Sequence, residues 1–355
     1  MPKTIAITPS WYWPQGVPRV IGTPPYTLGE LCVDRPAHRQ PGEPALIAGK
    51  TRLTAGQLKD AVDAAAGSYS QGSVIPIRSD GSADAVIAFF AALRAGAHVS
   101  LTAAGDTAPP AGAEDIRRPV VTMDGTHGPI RHSHRSLLAA ALSLTTFVEA
   151  GKGRPWFVSL PLSRWEGILS LVAPLLSFAP AILAPQAKDP DETVATFARE
   201  GAGFALDDLD TAFMWTREAK RASKDARRVL DAFLLSTSGM FDPDARRRVA
   251  RSFECPALTV FGLPETGPIF GSHASWYLDE SIGLPITNMH VVPADPRTGA
   301  PIQALWELVE SAEVTVFSPA LFAADESHAG RFAGNRYRTG VTASSDANGM
   351  IYLLS

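Results

Sequence analysis

The sequence predicts a layered α/β body in which two sheets sandwich helices, followed by a small β-barrel-like subdomain. Three observations carry that prediction. Short apolar strands alternate with helices from Ala45 to Phe261, which is the grammar of α/β architecture. The segment Asp84 to Ala95 has a helical pattern but is apolar on nearly every face, so it needs cover on both sides. After about Gly271 the helical pattern stops and short strands sit between turn signals. The chain divides accordingly into an irregular lead-in (1–26), a body of two subdomains (27–270) and a β-rich unit (271–355).

The elements follow in order. The lead-in is rich in Pro and aromatics, among them Trp11, Trp13, Pro14 and Pro24. Ala45-Leu46-Ile47 reads as a strand, Gly49-Lys50 as a turn, and Thr54 as the N-cap of a helix with Leu58, Val62 and Ala65 on one face. Val74 to Ile77 and His98 to Leu101 are strands flanking the apolar helix, which Gly96 closes. A Pro/Gly/Ala-rich break covers Ala103 to Ala113. Val120-Val121-Thr122 is a strand, Asp124 to His132 a loop, and Ser133 or His134 opens a helix to about Glu149. Strands are expected at Trp156–Leu160, Ala181–Leu183, Phe204–Leu206, Val229–Leu235 and Ala257–Phe261, with helices from Glu166 and Asp191 between them. Thr216 to Arg228 reads as a solvated, charge-dense helix. Asp242 followed by Pro243 marks a well-signalled helix start. In the β-rich unit, strands are expected at Met289–Val292, Ala304–Val309 and Val314–Phe317, and turns at Asp295–Gly299 and Asp346–Gly349.

Composition bounds the function. Lys and Arg number 32 and Asp and Glu 36, giving −4, which excludes a nucleic-acid binder acting through bulk charge. The 45% hydrophobic and 19% charged fractions exclude a disordered chain and allow a large core. No apolar run reaches the roughly 18 residues of a membrane-spanning helix. Two cysteines, Cys32 and Cys255, cannot build a disulfide framework or a structural zinc site on their own. Met1 to Trp13 has no secretory pattern. A cytoplasmic protein is expected.

Three stretches could carry chemistry. In Asp124-Gly125-Thr126-His127-Gly128-Pro129-Ile130-Arg131 a Gly/Thr loop follows a strand and precedes a helix. Its N–H groups would suit a phosphate, and a plain connecting loop is the alternative. His132 and His134, two apart, find no further Cys or His to complete a metal shell. In Phe261-Gly262-Leu263-Pro264-Glu265-Thr266 a carboxylate sits at the end of a buried strand, where α/β sheets place ligands. Glu265 could hold a hard cation such as Mg²⁺, or simply cap a turn. Tyr337-Arg338-Thr339-Gly340-Val341 and Asp346 to Tyr352 read as a β-hairpin.

In this order, the three stretches resemble the acyl-adenylate-forming superfamily of acyl- and aryl-CoA synthetases and peptide-synthetase adenylation domains. The resemblance runs from about Thr27 to the last residue. Gly125-Thr126-His127-Gly128 is similar to the family's phosphate loop, and Ser133-His134-Arg135 to the helix beyond it. Leu160-Pro161-Leu162, Phe261-Gly262-Leu263-Pro264-Glu265-Thr266, Asp295 to Gly299 and Tyr337-Arg338-Thr339-Gly340 match further motifs. The resemblance implies a fold of layered sheets with a β subdomain. It implies nucleotide contacts at Gly125, Thr126, Gly128, Arg131, Gly262 and Glu265, with Mg²⁺ at Glu265. It also implies an acyl pocket near Trp165, Phe261 and Gly262.

The departures from the family are specific. The phosphate loop is short, and Arg131 stands near the place of its lysine. Pro264 replaces a threonine hydroxyl, and Ser163-Arg164-Trp165 replaces a His or aromatic pair. The aspartate that would accept the ribose hydroxyls is Val341, which cannot accept a hydrogen bond. The sequence stops at Leu353-Leu354-Ser355, where the resemblance places a hinge, so a body without the mobile lid is expected. Two functions follow. One is a non-catalytic module with an eroded ATP site that binds an acyl group or thioester, an acyl carrier protein or a partner enzyme. The other is an ATP- and Mg²⁺-dependent acyl-adenylating ligase, completed by a separate lid or working without one. Neither nucleic acid nor a membrane span is expected, and self-association stays open. No Gly-x-Ser-x-Gly elbow offers a nucleophile for other thioester chemistry.

Overall fold

A computed structural model of the chain describes residues 13–102, 115–151, 153–184, 190–219, 229–237, 242–302, 309–323 and 326–354. The expected break at 103–113, most of the expected helix 216–228 and most of the strand 304–309 lie outside those residues.

After the lead-in, a helical stretch, Glu30–Asp34, runs into the short helix α1 (Arg35–Arg39). Strands β1 (Pro44–Ala48) and β2 (Thr51–Thr54) pair antiparallel around Gly49, whose φ of +59° only glycine adopts readily. The turn falls at Gly49-Lys50 as expected, whereas strand β2 has no sequence signal, because it is half-exposed and carries no apolar alternation. Thr54 then caps α2 (Ala55–Ala66) with a full capping box: its hydroxyl accepts from Gln57 N, and Gln57 Oε1 accepts from Thr54 N.

Strands β3 (Val74–Pro76) and β4 (His98–Ser100) flank helix α3 (Ala83–Arg94). That helix is covered by α2 on one side and β4 on the other, as its apolar faces require. Strand β5 (Pro119–Gly125) adds to β4, and β6 (Gly128–Ser133) closes a four-stranded sheet in the order β3-β4-β5-β6. Asp124 to His132, expected as a loop, is largely the β5–β6 hairpin. Ile130 and His132 alternate inward and are buried, and this burial holds the second strand in register. Ser133 caps helix α4 (His134–Phe147).

The second sheet has nine strands. Its parallel centre comprises β7 (Trp156–Val158), β8 (Ala181–Leu183), β9 (Phe204–Asp208), β10 (Ala232–Thr237) and β11 (Ala257–Leu263). With β12 (Gly267–Gly271) and β13 (Leu284–Pro285) at one edge, the order is β13-β12-β11-β10-β9-β7-β8-β1-β2. Helix α5 (Trp165–Leu176), buried along its whole length, packs on α4, β7, β8 and β9 and forms the innermost layer. Helices α6 (Pro190–Glu200), α7 (Leu209–Ala219) and α8 (Pro243–Phe253) follow β8, β9 and β10. Their apolar faces meet a second core around Phe157, Phe197, Trp215, Phe233 and Phe253. Asp242 caps α8, and Pro243 occupies its first turn, as the sequence signals.

Strands β12 (Gly267–Gly271) and β13 (Leu284–Pro285) still belong to the nine-stranded sheet. The change of sequence pattern at Gly271 therefore precedes the change of sheet. Beyond it, β14 (His290–Ala294), β15 (Ala312–Phe317), β16 (Phe332–Ala333), β17 (Arg336–Ser345) and β18 (Ile351–Leu353) form one antiparallel sheet. The Asp346–Gly349 turn joins β17 to β18, as expected. Among the described residues, no helix is long and apolar enough to cross a membrane.

Candidate functional site

Two hairpins from different sheets meet at the site. In the first, Gly125 pairs with Gly128, leaving Thr126 and His127 as a two-residue turn between β5 and β6. In the second, β11 turns into β12 through Pro264-Glu265-Thr266, and Thr266 N donates to Leu263 O at 3.1 Å. Proline at the first corner of such a turn presets its φ. Gly262 is required here, because a Cβ would stand 2.5 Å from Gly267 O.

Glu265 at the second tip is fully buried, with 0% exposure, and its partner is the first tip. Thr126 N donates to Oε1 at 2.6 Å, and Thr126 Oγ1 donates to Oε2 at 3.0 Å. Gly125 makes room for this contact: a Cβ there would lie 3.1 Å from Glu265 Oε1 and 2.6 Å from Gly128 O. A second tie joins the hairpins, between His132 Nε2 and the Pro264 carbonyl at 2.8 Å. The segment after β15 completes the clasp, with Phe322 N on Glu265 O at 3.0 Å and Ala323 N on Arg131 O at 2.8 Å.

His132 and His134 are framework groups. Burial lowers the pKa of His132 to about 4, against a smaller opposing effect of its bond to Pro264. Burial likewise lowers His134 to about 4, and its Nδ1 accepts from Leu28 N. Both are therefore neutral at pH 7. Among the described residues, no group of three or more His, Cys, Asp or Glu could hold a metal.

The Tyr-Arg-Thr-Gly stretch lies on β17. Tyr337 is buried against Phe322 and Phe332. Its hydroxyl has no hydrogen-bond partner among the described residues, and burial and then the Glu265 charge push its pKa up against a smaller opposing effect of Arg331. Arg338 Nε and Nη2 both donate to Glu313 Oε2, at 3.0 and 2.6 Å. Thr339 Oγ1 donates to Val314 O and accepts from Val341 N. Val341 is half-buried against the core cluster that contains Tyr337.

The structure thus brings together Gly125, Thr126, Gly128 and Glu265, with Gly262 fixing the turn. Arg131 lies further along β6, on the strand face opposite the buried Ile130 and His132. Trp165 and Phe261 are buried in the same core cluster, Phe261 completely.

A second polar cluster, which the sequence reading did not single out, sits at the C-terminal ends of β7, β9 and β10. Glu166, nearly fully buried, accepts from Ser236 Oγ at 2.7 Å and Arg164 Nη2 at 2.8 Å. Asp207, with 0% exposure, accepts from Ser159 Oγ and from Asp208 N. Burial is the largest cause that raises Asp207 to about 7. The Ser159 bond opposes it and the Asp208 charge reinforces it. The one sequence signal was a pair of acids ending an otherwise apolar strand.

This assembly has the fold of the acyl-adenylate-forming synthetases, in agreement with the sequence resemblance. Among solved structures, the chain is similar to o-succinylbenzoate-CoA synthetase (MenE) from Bacillus subtilis in complex with ATP and magnesium. The TM-score there is 0.77 at 16% identity, over 92% of this chain and 79% of that one. The same enzyme with its acyl-adenylate OSB-AMP gives 0.78 at 16%, over 92% and 78%. ATP-bound MatB from Rhodopseudomonas palustris gives 0.79 at 14%, over 93% and 79%. No family model and no curated protein matches the sequence.

Proposed function

We propose that this chain is a cytoplasmic binding module built on the synthetase fold. On this reading its nucleotide site is eroded, and it recognises an acyl group, presented as a thioester or on an acyl carrier protein, without running ATP-dependent activation itself. The observation that carries the reading is the Thr126–Glu265 pair. Each oxygen of the carboxylate takes one of the two donors of the same residue. Mg²⁺ at Glu265, or a phosphate at Thr126, would compete with two hydrogen bonds that already hold a buried carboxylate. Such bonds are worth roughly 1.5–3 kcal/mol each. Val341, packed against the core, offers no acceptor to a ribose. On this reading the residues present do not fit ATP–Mg²⁺.

The alternative is an acyl-adenylating ligase using ATP and Mg²⁺. One observation favours it: Gly125, Thr126 and Glu265 converge beside the end of a parallel strand, where open α/β sheets bind ligands. Two of the three solved neighbours hold ATP, one of them with magnesium, and the third holds an acyl-adenylate. Calorimetric titration separates the two. The module reading expects no heat with ATP–Mg²⁺ or AMP and retained binding of an acyl-pantetheine thioester. Micromolar nucleotide binding, or pyrophosphate exchange with any carboxylic acid, overturns it.

A further inference from the structure

We infer a binding site for a small oxyanion on the outer face of the β14–β18 sheet, built around Arg331. A cavity of about 270 Å³ opens there, lined by Pro296, Glu313, Arg331, Arg338, Gly340 and Thr342 among others. Strand register separates it from the site described above. Thr315 pairs with Arg338 and Glu313 with Thr342. Thr315 and Glu313 are two apart on β15, so Arg338 and Thr342 share one sheet face. Tyr337, on which the charges of Glu265 and, less strongly, Arg331 both act, pairs with Val316 on the other face, so Arg331 stands at the edge between the two. The three residues between Arg338 and Thr342 bulge, and Gly340 adopts a φ of +74°. A Cβ at Gly340 would stand 3.4 Å from Arg331 Nη1, so the missing side chain leaves the arginine room.

Hydrogen bonding decides the ligand's sign. Glu313 is buried and has no oxygen free of bonds. Its Oε1 accepts from Gly340 N at 3.1 Å and its Oε2 accepts twice from Arg338. The Pro296 carbonyl accepts from Arg338 Nη2 at 2.9 Å. Three donors remain without a partner among the described residues: the Arg331 guanidinium, Arg338 Nη1 and the Thr342 hydroxyl. The charge of Arg338 is matched by Glu313 and Asp295, and that of Arg331 by none of the described lining residues. A cavity with spare donors, spent acceptors and one uncompensated guanidinium selects an anion able to take a forked pair of bonds. Its volume falls below the usual range for drug-sized ligands. It therefore suits a phosphate or carboxylate group with little attached.

The test titrates inorganic phosphate and, separately, acetate into the full chain at low salt, read by calorimetry and by thermal shift. Saturable binding of either anion is expected, and the tighter of the two names the source. Arg331→Gln is expected to weaken it at least tenfold with an unchanged melting temperature, and Thr342→Val several-fold. Arg131→Gln, beside the Gly125 hairpin, is expected to leave it intact. No saturable binding of either anion up to 10 mM, binding that survives Arg331→Gln, or binding lost with Arg131→Gln would each overturn the assignment.

Discussion

Thr126 closes on Glu265 from 139 residues away in the chain, giving its N–H to one carboxylate oxygen and its hydroxyl to the other. A buried carboxylate is tolerated only when it is hydrogen-bonded, and this one draws two of its bonds from a single turn residue. The two tips therefore stabilise each other. Removing the hydroxyl with Thr126→Val leaves one oxygen of a buried charge unmatched, at a cost of about 1–3 kcal/mol. Urea denaturation should show that loss as a lower midpoint with an unchanged slope, whereas Thr126→Ser should recover most of it.

Gly262 sets the geometry that aims Glu265. Its missing Cβ clears the Gly267 carbonyl, which would otherwise be 2.5 Å away. Gly262→Ala must therefore open the hairpin, and a destabilisation of about 2–3 kcal/mol is expected from such overpacking. Amide exchange should report it locally, with faster exchange at Thr266 and Thr126 than at β9. Uniform protection across both hairpins would show that the turn absorbs the methyl group.

How far the sequence reveals this arrangement depends on the range of the signal. The Thr54 capping box, the Asp242-Pro243 helix start and the β17–β18 turn are local, and each is where the pattern predicts. Strand β6 was hidden because Gly128 and Pro129 read as loop residues. Only the burial of Ile130 and His132, against partners far away in sequence, makes them a strand. Gly125, Thr126 and Glu265 were legible as candidates through the resemblance. That they spend their hydrogen bonds on one another was not, because motif spacing does not encode contact between two sheets. Asp207 escaped notice for a similar reason. Its environment is made by Ser159 and Arg164 from another strand end and the loop beyond it.

Asp207 gives stability a pH dependence whose sign is fixed by the direction of its shift. The folded-state value, about 7, lies above the ordinary carboxyl value near 4. Between those limits the unfolded chain has released a proton that the folded chain still holds, so stability falls as pH rises through the window and is level above it. Asp207→Asn should therefore stabilise the protein at pH 8, by on the order of 2–4 kcal/mol, and the gain should shrink towards zero near pH 4. His132 and His134 act in the opposite sense. Their depressed values cost stability as pH falls from about 6.5 towards 4, but this cost is common to both proteins and cancels in the difference. A gain that is flat with pH would mean the Asp207 carboxyl is not the group titrating.

On the proposed reading, a carboxylate placed at position 341 should not by itself produce nucleotide binding. Val341 stands where the resemblance expects a ribose-binding carboxylate, but it packs against the core, and the Thr126–Glu265 pair is unaffected by it. Val341→Asp is therefore expected to cost about 1–2 kcal/mol of stability, through burial of a polar group, and to yield no calorimetric signal with AMP or ATP–Mg²⁺. Micromolar binding in this variant would show that the missing sugar contact alone had silenced the site.

Tyr337 offers the reverse experiment, in which deleting a polar atom should help. Its hydroxyl is buried, has no hydrogen-bond partner and lies near enough to Glu265 and Arg331 for both charges to act on it. A hydroxyl withdrawn from water without a replacement bond carries its desolvation cost into the folded state. The ring itself packs well, 5.4 Å from Phe322 and 5.5 Å from Phe332, so Tyr337→Phe keeps the packing and removes only the penalty. The expected result is a stability equal to or about 0.5–1 kcal/mol above that of the parent, read as a higher thermal midpoint at constant heat capacity change. A loss of more than 1 kcal/mol would mean that the hydroxyl does make a bond in solution, and Glu265, whose charge acts on it, is a group able to accept it. The Thr126–Glu265 pair would then be one part of a three-membered network, and Thr126→Val and Tyr337→Phe would be non-additive.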